Sequence, residues 1–587
     1  MPKSKKSKKS PFKTLLRSLK PWRRYLILGT IFAIGSTIIS IGGPAILGQI
    51  TTSAVSNLTA DGHLDWPPLI ALAWTLVGLY LVSAVCSYLE GYIFAKLSNF
   101  YSRDLRLKIL EKIARLPISY FDTHEFGDTL SRMTNDVEAI AMTLQDAITE
   151  TVTNIVTLVG VIIMMFFISP LLTLIALVSL PLSIFFVLKI AQRSRKYFKS
   201  QQNTLGHLNS IIEEDFSGQL IIKSNSHESA STSSFEQTNQ TLYNSGWKAE
   251  FLARLAFPVV NILTNLAYIS ICILGGHLAI AGKISIGSIQ AFIQYINSFT
   301  HPLLSLSQLT ANLQRTSAAA ERIFDFLKEL EETPDPTAPQ TIKKVRGAVA
   351  FHDLNFSYTK NKPTITNFSC KIKPGQQVAL VGPTGAGKTT IVNLLMRFYD
   401  PDSGYITIDD VPTREMSRHD VRSLFGMVLQ DTWLFSGTIR DNLRYGRPDA
   451  TDDEIIEACR SANVHHFIMS LPHGYDTIID EDSDNVSAGE KQLLTIARAL
   501  IANPPMIILD EATSNVDTRT EQLIQDAFTN LTKGRTSFVI AHRLSTIINS
   551  DLILVMKDGQ VIEQGTHQSL LKANGFYADL YNSQFQN

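Results

Sequence analysis

The chain has 587 residues, of which 53 are Lys or Arg and 53 are Asp or Glu, so its formal net charge is zero. A chain of this length is expected to form two or more domains. The charge balance excludes a general nucleic-acid binder, which needs a strongly basic surface. The four cysteines are far apart and lack metal-ligand spacing, which disfavours a disulfide framework and a zinc site.

Residues 1–24 form a basic N-terminal segment that contains no acidic residue. The lysine-rich run at 1–10 is either a solvated tail or a juxtamembrane segment attracted by anionic lipid, and we favour the first with some contribution from the second. Residues 11–24 are predicted to form a short interfacial helix with one apolar face. No cleavable signal peptide is evident, because no small-residue cleavage site follows closely.

Six apolar segments follow, and each is long enough to cross a bilayer, which takes about 20 helical residues. We predict these segments at residues 25–47, 67–94, 147–168, 170–190, 257–280 and 285–306. The alternative is a soluble protein with six buried core helices. The distribution of basic residues between the connections disfavours that alternative.

The connections between these segments are of two kinds. Those at 95–146 and 191–256 are long, polar and rich in Lys and Arg. The short connections contain a single basic residue of these two types, Lys283. By the positive-inside rule, the N-terminus, both long connections and the second half of the chain are cytoplasmic. Each long connection also has a break in its helical pattern, near 121–127 and near 214–219, which predicts a short transverse helix.

A Pro-rich stretch at 332–340 marks a boundary after the sixth helix. From about residue 346 short strands alternate with helices, which predicts an α/β domain. We therefore predict four parts in the chain: a basic tail and interfacial helix at 1–24, a six-helix transmembrane domain with long cytoplasmic extensions at 25–330, a linker at 331–345, and an α/β domain at 346–587.

Residues 376–395 contain a strand, a Gly-x-x-x-x-Gly-Lys-Thr turn and a helix, which is the arrangement of a phosphate-binding loop. Backbone N–H groups of such a loop turn inward around phosphate oxygens, and the helix N-terminus adds positive potential. Lys388 is expected to reach the β- and γ-phosphates, and the Thr389 hydroxyl is expected to bind Mg²⁺. The predicted nucleotide-binding residues of this loop are Gly382, Pro383, Thr384, Gly385, Ala386, Gly387, Lys388, Thr389 and Thr390.

An apolar run at 506–509 ends in Asp510 and Glu511. A buried strand that delivers two acids at its carboxyl end is typical of a magnesium and water site. Asp510 is predicted to hold Mg²⁺, and Glu511 to polarise the attacking water as a general base. The alternative, two solvated acids at a strand end, is disfavoured by the phosphate-binding loop in the same domain.

Three further residues carry weaker signals, because each alone more often has a structural role. His542 follows an apolar run at 537–540, and its neutral imidazole is predicted to bridge the γ-phosphate and the water-polarising acid. Tyr358 precedes the phosphate-binding loop by one strand and is predicted to stack on adenine. Gln430 ends an apolar run and is predicted to sense the metal and the attacking water.

In their order along the chain, these residues resemble the ATP-binding-cassette domain of ABC transporters. Tyr358 resembles the A-loop of this domain. Six further motifs follow it in the chain: Walker A at 382–390, the Q-loop at Gln430, the signature VSAGEKQ at 486–492, Walker B at 506–511, the D-loop SNVD at 514–517 and the H-loop at His542. With the six membrane segments, the whole chain resembles an ABC exporter half-transporter.

The resemblance implies the fold class: a membrane protein in which a six-helix ABC exporter transmembrane domain precedes an α/β P-loop ATP-binding cassette domain. It implies an ATPase that uses ATP and Mg²⁺, with Gln430 near the metal. It also implies a dimer in which each ATP lies between the Walker motifs of one chain and the signature of the other, contacted there by Ser487 and Gly489. The breaks near 121–127 and 214–219 would be its coupling helices.

The signature departs from the usual Leu-Ser-Gly-Gly-Gln of the family at two informative positions. Ala488 puts a methyl group where the backbone should approach the γ-phosphate. Glu490 puts an acid near a polyanion, which costs on the order of 1 kcal/mol or more. Because Glu511 is retained, we predict the catalytically competent subunit of a heterodimer with one degenerate site. The alternative is a homodimer that tolerates a drifted signature.

The leading functional hypothesis is ATP-driven export of amphipathic or hydrophobic compounds, of the multidrug type. The expected location is the plasma membrane, with the N-terminus and the cassette domain in the cytoplasm. Expected partners are a second half-transporter, membrane lipid and an amphipathic small molecule, and no nucleic acid. The alternatives are a lipid or peptide exporter that works as a homodimer, and an ATP-gated membrane regulator without net transport.

Overall fold

The computed structural model of the chain describes residues 11–61, 66–359, 362–430, 432–479, 486–510, 517–540 and 547–585. The chain forms two compact units. The first comprises Met1–Ala114 and Glu125–Glu329, and the second comprises Arg115–His124 and Leu330–Asn587. The second unit thus takes in a short segment from the helical half of the chain. The four domain boundaries drawn from the sequence stay predictions.

The first half of the chain is helical. Its α-helices are α1 (Pro11–Ser18), α2 (Arg23–Asp61), α3 (Trp66–Arg115), α4 (Ile118–Thr123), α5 (Phe126–Ser131), α6 (Val137–Ile168), α7 (Pro170–Ser217), α8 (Gln219–Ser224), α9 (Glu228–Ile280) and α10 (Ile286–Phe326). Each predicted membrane segment lies within one of the long helices, apart from Ser285, which caps α10. The predicted break at 121–127 covers the end of α4 and the start of α5, and the break at 214–219 covers the end of α7 and reaches only the first residue of the short helix α8.

Five helical stretches in the described residues are long and apolar enough to cross a membrane. They are Lys20–Ser56, Trp66–Arg115, Phe126–Ile168, Pro170–Ser217 and Glu228–Ile280. Helix α10 is 41 residues long. Its role as the sixth membrane segment stays a prediction.

Helices α2 and α10 approach closely where two glycines meet. A Cβ atom on Gly287 would overlap the carbonyl oxygen of Gly48. Small residues allow such close backbone contact between membrane helices, where packing rather than the hydrophobic effect drives association. Hydroxyl groups reinforce the contact, because Thr52 Oγ1 donates a hydrogen bond to Ser285 Oγ at 2.9 Å.

The second unit is built on strands β1–β12. They are β1 (Val349–Phe356), β2 (Ile365–Ile372), β3 (Gln377–Val381), β4 (Ser403–Ile408), β5 (Val411–Pro412), β6 (Phe425–Val428), β7 (Gly437–Thr438), β8 (Ile478–Ile479), β9 (Met506–Asp510), β10 (Thr536–Ile540), β11 (Leu552–Lys557) and β12 (Gln560–Gly565). A six-stranded sheet has the order β12-β11-β3-β10-β9-β6, and a four-stranded sheet has the order β2-β1-β4-β5. In the larger sheet only β12 is antiparallel to its neighbour.

Most helices of this unit lie between strands in the chain, and the last two follow β12. They are α11 (Lys388–Leu395), α12 (Arg418–Ser423), α13 (Ile439–Arg444), α14 (Asp452–Ser461), α15 (His465–Ser470), α16 (Ala488–Ala502), α17 (Thr518–Thr532), α18 (His567–Ala573) and α19 (Phe576–Phe585). Crossover helices of this kind are what parallel strands require. The α/β character predicted for this part of the chain is confirmed.

The six-stranded sheet is covered on both faces, which explains the uninterrupted apolar runs in the sequence. In β9, Met506 and Ile508 join the same core as α11, whereas Ile507 and Leu509 join the core that contains α16. Successive side chains of a strand point to opposite faces. Helices α11 and α16 therefore pack on opposite faces of the sheet.

Leu380 tests this core, because it is fully buried in the central strand β3. We expect Leu380→Ala to cost about 2–5 kcal/mol through lost contacts and a cavity, and to lower the unfolding midpoint of the second unit by about 5–10 °C. The measurement is thermal unfolding of the full chain in detergent. The matched control is Leu330→Ala, whose side chain is 85% exposed. Equal midpoints for the two variants would contradict the assignment of Leu380 to the core.

Candidate functional site

The phosphate-binding loop connects β3 to α11, as predicted. Gly387 caps α11 with φ +98°, in the left-handed region that favours glycine. A Cβ atom there would also lie 2.7 Å from Ile365 Cδ1. Pro383, Thr384 and Gly385 are exposed, whereas Ala386 is buried. The loop therefore turns its middle residues outward and is anchored in the core at its end.

Lys388 lies folded over this loop. Its side chain is almost fully buried, and Nζ donates hydrogen bonds to the carbonyl oxygens of Gly382 at 2.7 Å and Pro383 at 3.2 Å. Burial lowers the pKa of Lys388, and the negative charge of Asp510 acts in the opposite direction. An ammonium group binds an ionised phosphate oxygen more strongly than a neutral carbonyl oxygen, because both partners are then charged. An anionic phosphate is therefore a better partner for this ammonium group than either carbonyl oxygen.

Four parallel strands end level with one another beside this loop. Leu380 of β3 is paired with Ile540 of β10, Ile540 with Asp510 of β9, and Leu509 with Val428 of β6. In open α/β sheets, ligands bind outside the carboxyl ends of the strands. The register therefore brings the ends of β3, β10, β9 and β6 to one edge of the sheet. The predicted site residues belong to these strand ends or follow them in the chain.

The structure describes some of the predicted site residues at this edge, and others lie outside the described residues. Asp510 is the last residue of β9, and Gln430 is exposed two residues after β6 ends. Glu511 directly follows Asp510, and His542 comes two residues after the end of β10. Both Glu511 and His542 lie outside the described residues, and so does most of the D-loop stretch at 514–517.

The available ligands for a metal at this edge are oxygen atoms. Thr389 presents an exposed hydroxyl in the first turn of α11, and Asp510 and Gln430 lie at neighbouring strand ends. Among the described residues, no group of three or more His, Cys, Asp or Glu side chains forms a metal cage. Mg²⁺ prefers oxygen ligands and is commonly held by one or two protein groups together with substrate phosphates. The donor set fits that mode of binding.

Tyr358 is half exposed and held on one side of α11. Its hydroxyl donates a hydrogen bond to Thr390 Oγ1 at 3.3 Å and accepts one from Asn393 Nδ2 at 3.2 Å. Its ring meets Phe356 and Tyr399 edge to face, with centroid distances of 4.9 and 5.0 Å. The tyrosine is therefore oriented before any ligand binds, with 45% of its surface open.

Tyr399 is a residue of this site that the sequence analysis missed. Its hydroxyl donates a hydrogen bond to the carboxylate of Asp122 in α4, and both residues belong to the second unit. Burial raises the pKa of Tyr399, and the bond to Asp122 adds to this effect. The two residues are 277 positions apart, so no local pattern marks the pair. Tyr399 thus connects the helix α4 to Tyr358.

The signature residues begin α16 and form a reciprocal cap. Glu490 Oε2 accepts a hydrogen bond from the Ser487 N–H at 2.8 Å, and Ser487 Oγ accepts one from the Glu490 N–H at 3.3 Å. Ser487 and Ala488 are exposed, whereas Gly489 is buried. The carboxylate of Glu490 therefore already lies at the positive end of this helix.

The structure does not bring the signature and the phosphate-binding loop of one chain together. Helices α11 and α16 pack on opposite faces of the six-stranded sheet, as described above. The helix that follows the loop and the helix that begins at the signature are therefore separated by that sheet. The predicted signature and the phosphate-binding loop of one chain therefore do not form a single site.

Together, a phosphate-binding loop, level strand ends with acids, and membrane-length helices on the same chain define a membrane-bound P-loop nucleotide-binding protein. Comparisons with known proteins give the family. Residues 26–303 match the family described as ABC transporter transmembrane region, and residues 365–514 match the family described as ABC transporter. The chain belongs to the ABC transporter family, as an exporter-type protein with permease and ATPase parts in one polypeptide.

Similar proteins cover nearly the whole chain. It is 42% identical to the fatty acid ABC transporter ATP-binding/permease protein of Mycobacterium bovis, over 96% of this chain and 94% of that protein. It is 34% identical to the ATP-dependent lipid A-core flippase of Syntrophus aciditrophicus (97% and 94%). It is also 34% identical to the putative multidrug export ATP-binding/permease protein YgaD of Bacillus subtilis (97% and 99%).

These comparisons confirm the predicted family and fold class, ATP binding, ATPase activity and a multi-pass membrane protein. The roles of the individual site residues, Mg²⁺, membrane orientation, the second subunit and the transported compound stay predictions.

The two contributions of Tyr358 can be separated by substitution. We expect Tyr358→Ala to weaken ATP binding about tenfold, because an aromatic stacking partner contributes about 0.5–1.5 kcal/mol. Tyr358→Phe keeps the ring and loses only the bonds to Thr390 and Asn393, so its affinity should stay within about threefold of the parent. The measurement is equilibrium binding of a fluorescent ATP analogue to the full chain. Equal losses in both variants would contradict a stacking role.

Proposed function

We propose that this protein exports amphipathic or hydrophobic compounds across the plasma membrane, as one half of a heterodimeric ABC transporter. The observation that carries the proposal is the combination, on one chain, of a preformed phosphate-binding loop with helices long enough to cross a bilayer. The positive-inside distribution of Lys and Arg supports a cytoplasmic ATPase unit. One similar protein is named a putative multidrug export protein, which supports the export direction that we propose.

In this proposal, nucleotide binding exchanges the carbonyl partners of Lys388 for the β- and γ-phosphates. Thr389, Asp510 and Gln430 would hold Mg²⁺ together with those phosphates, and the ion would supply positive charge beside the transferred group. Glu511 polarises the attacking water, and His542 contacts the γ-phosphate. The level ends of β3, β10, β9 and β6 support this assignment, because each residue belongs to or closely follows one of these strands.

The cap of α16 supports a degenerate second site. A phosphate that approaches this helix from a partner chain would meet the Glu490 carboxylate, which already accepts a bond from the helix N-terminus. Two like charges about 4 Å apart repel each other by roughly 1–4 kcal/mol, depending on screening. The signature of this chain is therefore a poor ligand for ATP. The working site would combine the Walker motifs of this chain with an intact signature on a different subunit.

Two further features support a transport cycle with a second subunit. The link from Tyr358 through Tyr399 to Asp122 gives α4 a direct contact with the adenine-side residues of the cassette. At the junction of α7 and α8, Phe216, Leu220 and Ile221 are 79%, 82% and 68% exposed. Clustered exposed apolar side chains favour a protein interface. We assign this tip to docking on the partner subunit.

The substrate class is a choice among three possibilities. Two similar proteins are named for a fatty acid and for lipid A, and one for multidrug export. We favour small amphipathic compounds and keep lipid or peptide export by a homodimer as the alternative. An ATP-gated membrane regulator without net transport is the third possibility, and it is separated from both by a transport measurement.

Transport is tested in inverted membrane vesicles that contain the co-expressed complex. We expect ATP-dependent accumulation of a fluorescent amphipathic dye, and we expect Glu511→Gln to lower it at least about 100-fold, because a general base contributes about 10²–10⁴ in rate. The matched control is Glu521→Gln in α17. ATP hydrolysis without accumulation of dye, lipid or peptide would favour the regulator.

The state of the dimer is tested by ATPase activity after co-expression with half-transporters that carry an intact signature. In the heterodimer, Glu490→Gln should change turnover by less than about twofold, because this signature faces the site that does not turn over. Glutamine keeps the reciprocal cap and removes only the charge. Glu511→Gln in this chain should abolish turnover. High activity of the chain alone, raised further by Glu490→Gln, would instead establish the homodimer.

A further inference from the structure

A polar cavity of about 480 Å³ lies among α2, α3, α6 and α10 of the first unit, within the predicted membrane segments. Ten of its fifteen lining residues carry a hydroxyl group, including Ser36 on α2, Ser87 on α3 and Thr153 on α6. Among the described residues that line the cavity, Glu90 of α3 is the one carboxylate, and none is Lys, Arg or His. The sequence analysis passed over Glu90, although an acid in an apolar run is a visible signal.

The carboxylate of Glu90 is poorly satisfied within this unit. Glu90 is 6% exposed, and its Oε1 has no hydrogen-bond partner in the described part of the chain. Its Oε2 lies 3.5 Å from Ser36 Oγ, at the long limit of a hydrogen bond. The single hydroxyl proton of Ser36 also has a closer acceptor, the carbonyl oxygen of Ala33 at 3.0 Å. Ser36 therefore contributes little to the stabilisation of a charge on Glu90.

The ionised form of an acid in this environment needs a partner. Burial of an uncompensated carboxylate is costly, and ionisable groups in membrane segments are normally paired or face a polar cavity. The lining described above supplies no cation. A positively charged ligand would remove this cost, whereas an anionic ligand such as a fatty acid carboxylate would increase it.

The composition of the lining favours an organic cation over a metal ion. Ca²⁺ and Mg²⁺ sites commonly use several oxygen ligands that include carboxylates, and Glu90 is the one carboxylate among the described lining residues. Serine and threonine oxygens accept hydrogen bonds from an ammonium group. The cavity volume of about 480 Å³ is many times the roughly 30 Å³ that one water molecule occupies in the liquid. The cavity is therefore large enough for a head group and the start of an apolar chain.

We propose that the cavity around Glu90 binds the ammonium head group of an amphipathic compound, with Glu90 as its counter-ion and the surrounding hydroxyl groups as additional acceptors. The inference rests on the proposed export function and names the substrate class as amphipathic cations. It assigns to α3 a specificity-determining residue in the membrane segment.

The test uses three probes that have the same saturated chain and fluorophore and end in an ammonium, a hydroxyl or a carboxylate group. Their binding to the full-length protein in lipid nanodiscs, with any co-purified partner, is measured without ATP by fluorescence anisotropy. We expect the ammonium probe to bind most tightly. Glu90→Gln should weaken its binding about tenfold and change binding of the hydroxyl probe less than twofold, because a hydrogen bond to a charged group contributes about 1.5–3 kcal/mol.

Two variants control this experiment. Glu111→Gln removes the same charge from an exposed position of α3 and should leave the order of the three probes unchanged. Glu90→Asp keeps the negative charge, and it should keep a preference for the ammonium probe. If Glu90→Gln does not fold, the comparison of Glu90→Asp with the parent, and the order of the three probes on the parent itself, still decide the proposal.

The remaining outcomes separate the possible failures. Equal binding of all three probes, or the same loss for every probe in Glu90→Gln, would overturn the inference. Displacement of the ammonium probe by sodium chloride but not by the chloride of a bulky organic cation would make an inorganic cation the occupant, and would also overturn it. The proposed export function is tested independently by ATP-dependent accumulation of the same probes in inverted vesicles, where export of all three without preference would sustain that function alone.

Discussion

The parallel hydrogen-bonded register of β3, β10, β9 and β6 is the constraint on which the ATP site depends. This register makes the four strands end at the same edge of the sheet. Segments that are distant in the chain therefore leave the sheet at that edge. A slip of one residue would turn each strand's core side chains to the opposite face. Because both faces are buried, such a slip is strongly disfavoured, and the apolar core therefore maintains the geometry of the polar edge.

The same sheet separates the phosphate-binding loop from the predicted signature. Helix α11, which follows the phosphate-binding loop, packs on one face, and helix α16, which begins at the predicted signature, packs on the other. The reciprocal bonds between Ser487 and Glu490 stabilise the start of α16 and also place a negative charge there. In the proposed dimer, this negative charge would oppose the approach of a partner-bound phosphate.

In the first unit, packing depends on different physics. Close backbone contact at Gly48 and Gly287 joins α2 to α10, and hydroxyl groups along the membrane segments satisfy one another or the backbone. Within the predicted membrane segments the carboxylate of Glu90 differs from these hydroxyl groups, since its Oε1 is buried and has no hydrogen-bond partner in the described residues. The proposed cation site rests on this one acid in a cavity that is lined largely by hydroxyl groups.

By itself the sequence determined the family, the apolar membrane segments and the order of the nucleotide motifs. These features depend on local composition and spacing, as in the glycine-rich turn before Lys388. Only the tertiary structure decided that Tyr399 joins Tyr358 to Asp122, that Glu490 folds back on Ser487, and that Glu90 faces hydroxyl groups without a cation. Two of these three features join residues far apart in the chain, and the Glu490 cap depends on a choice of rotamer. No spacing rule encodes them, because packing of the whole unit selects which side chains meet.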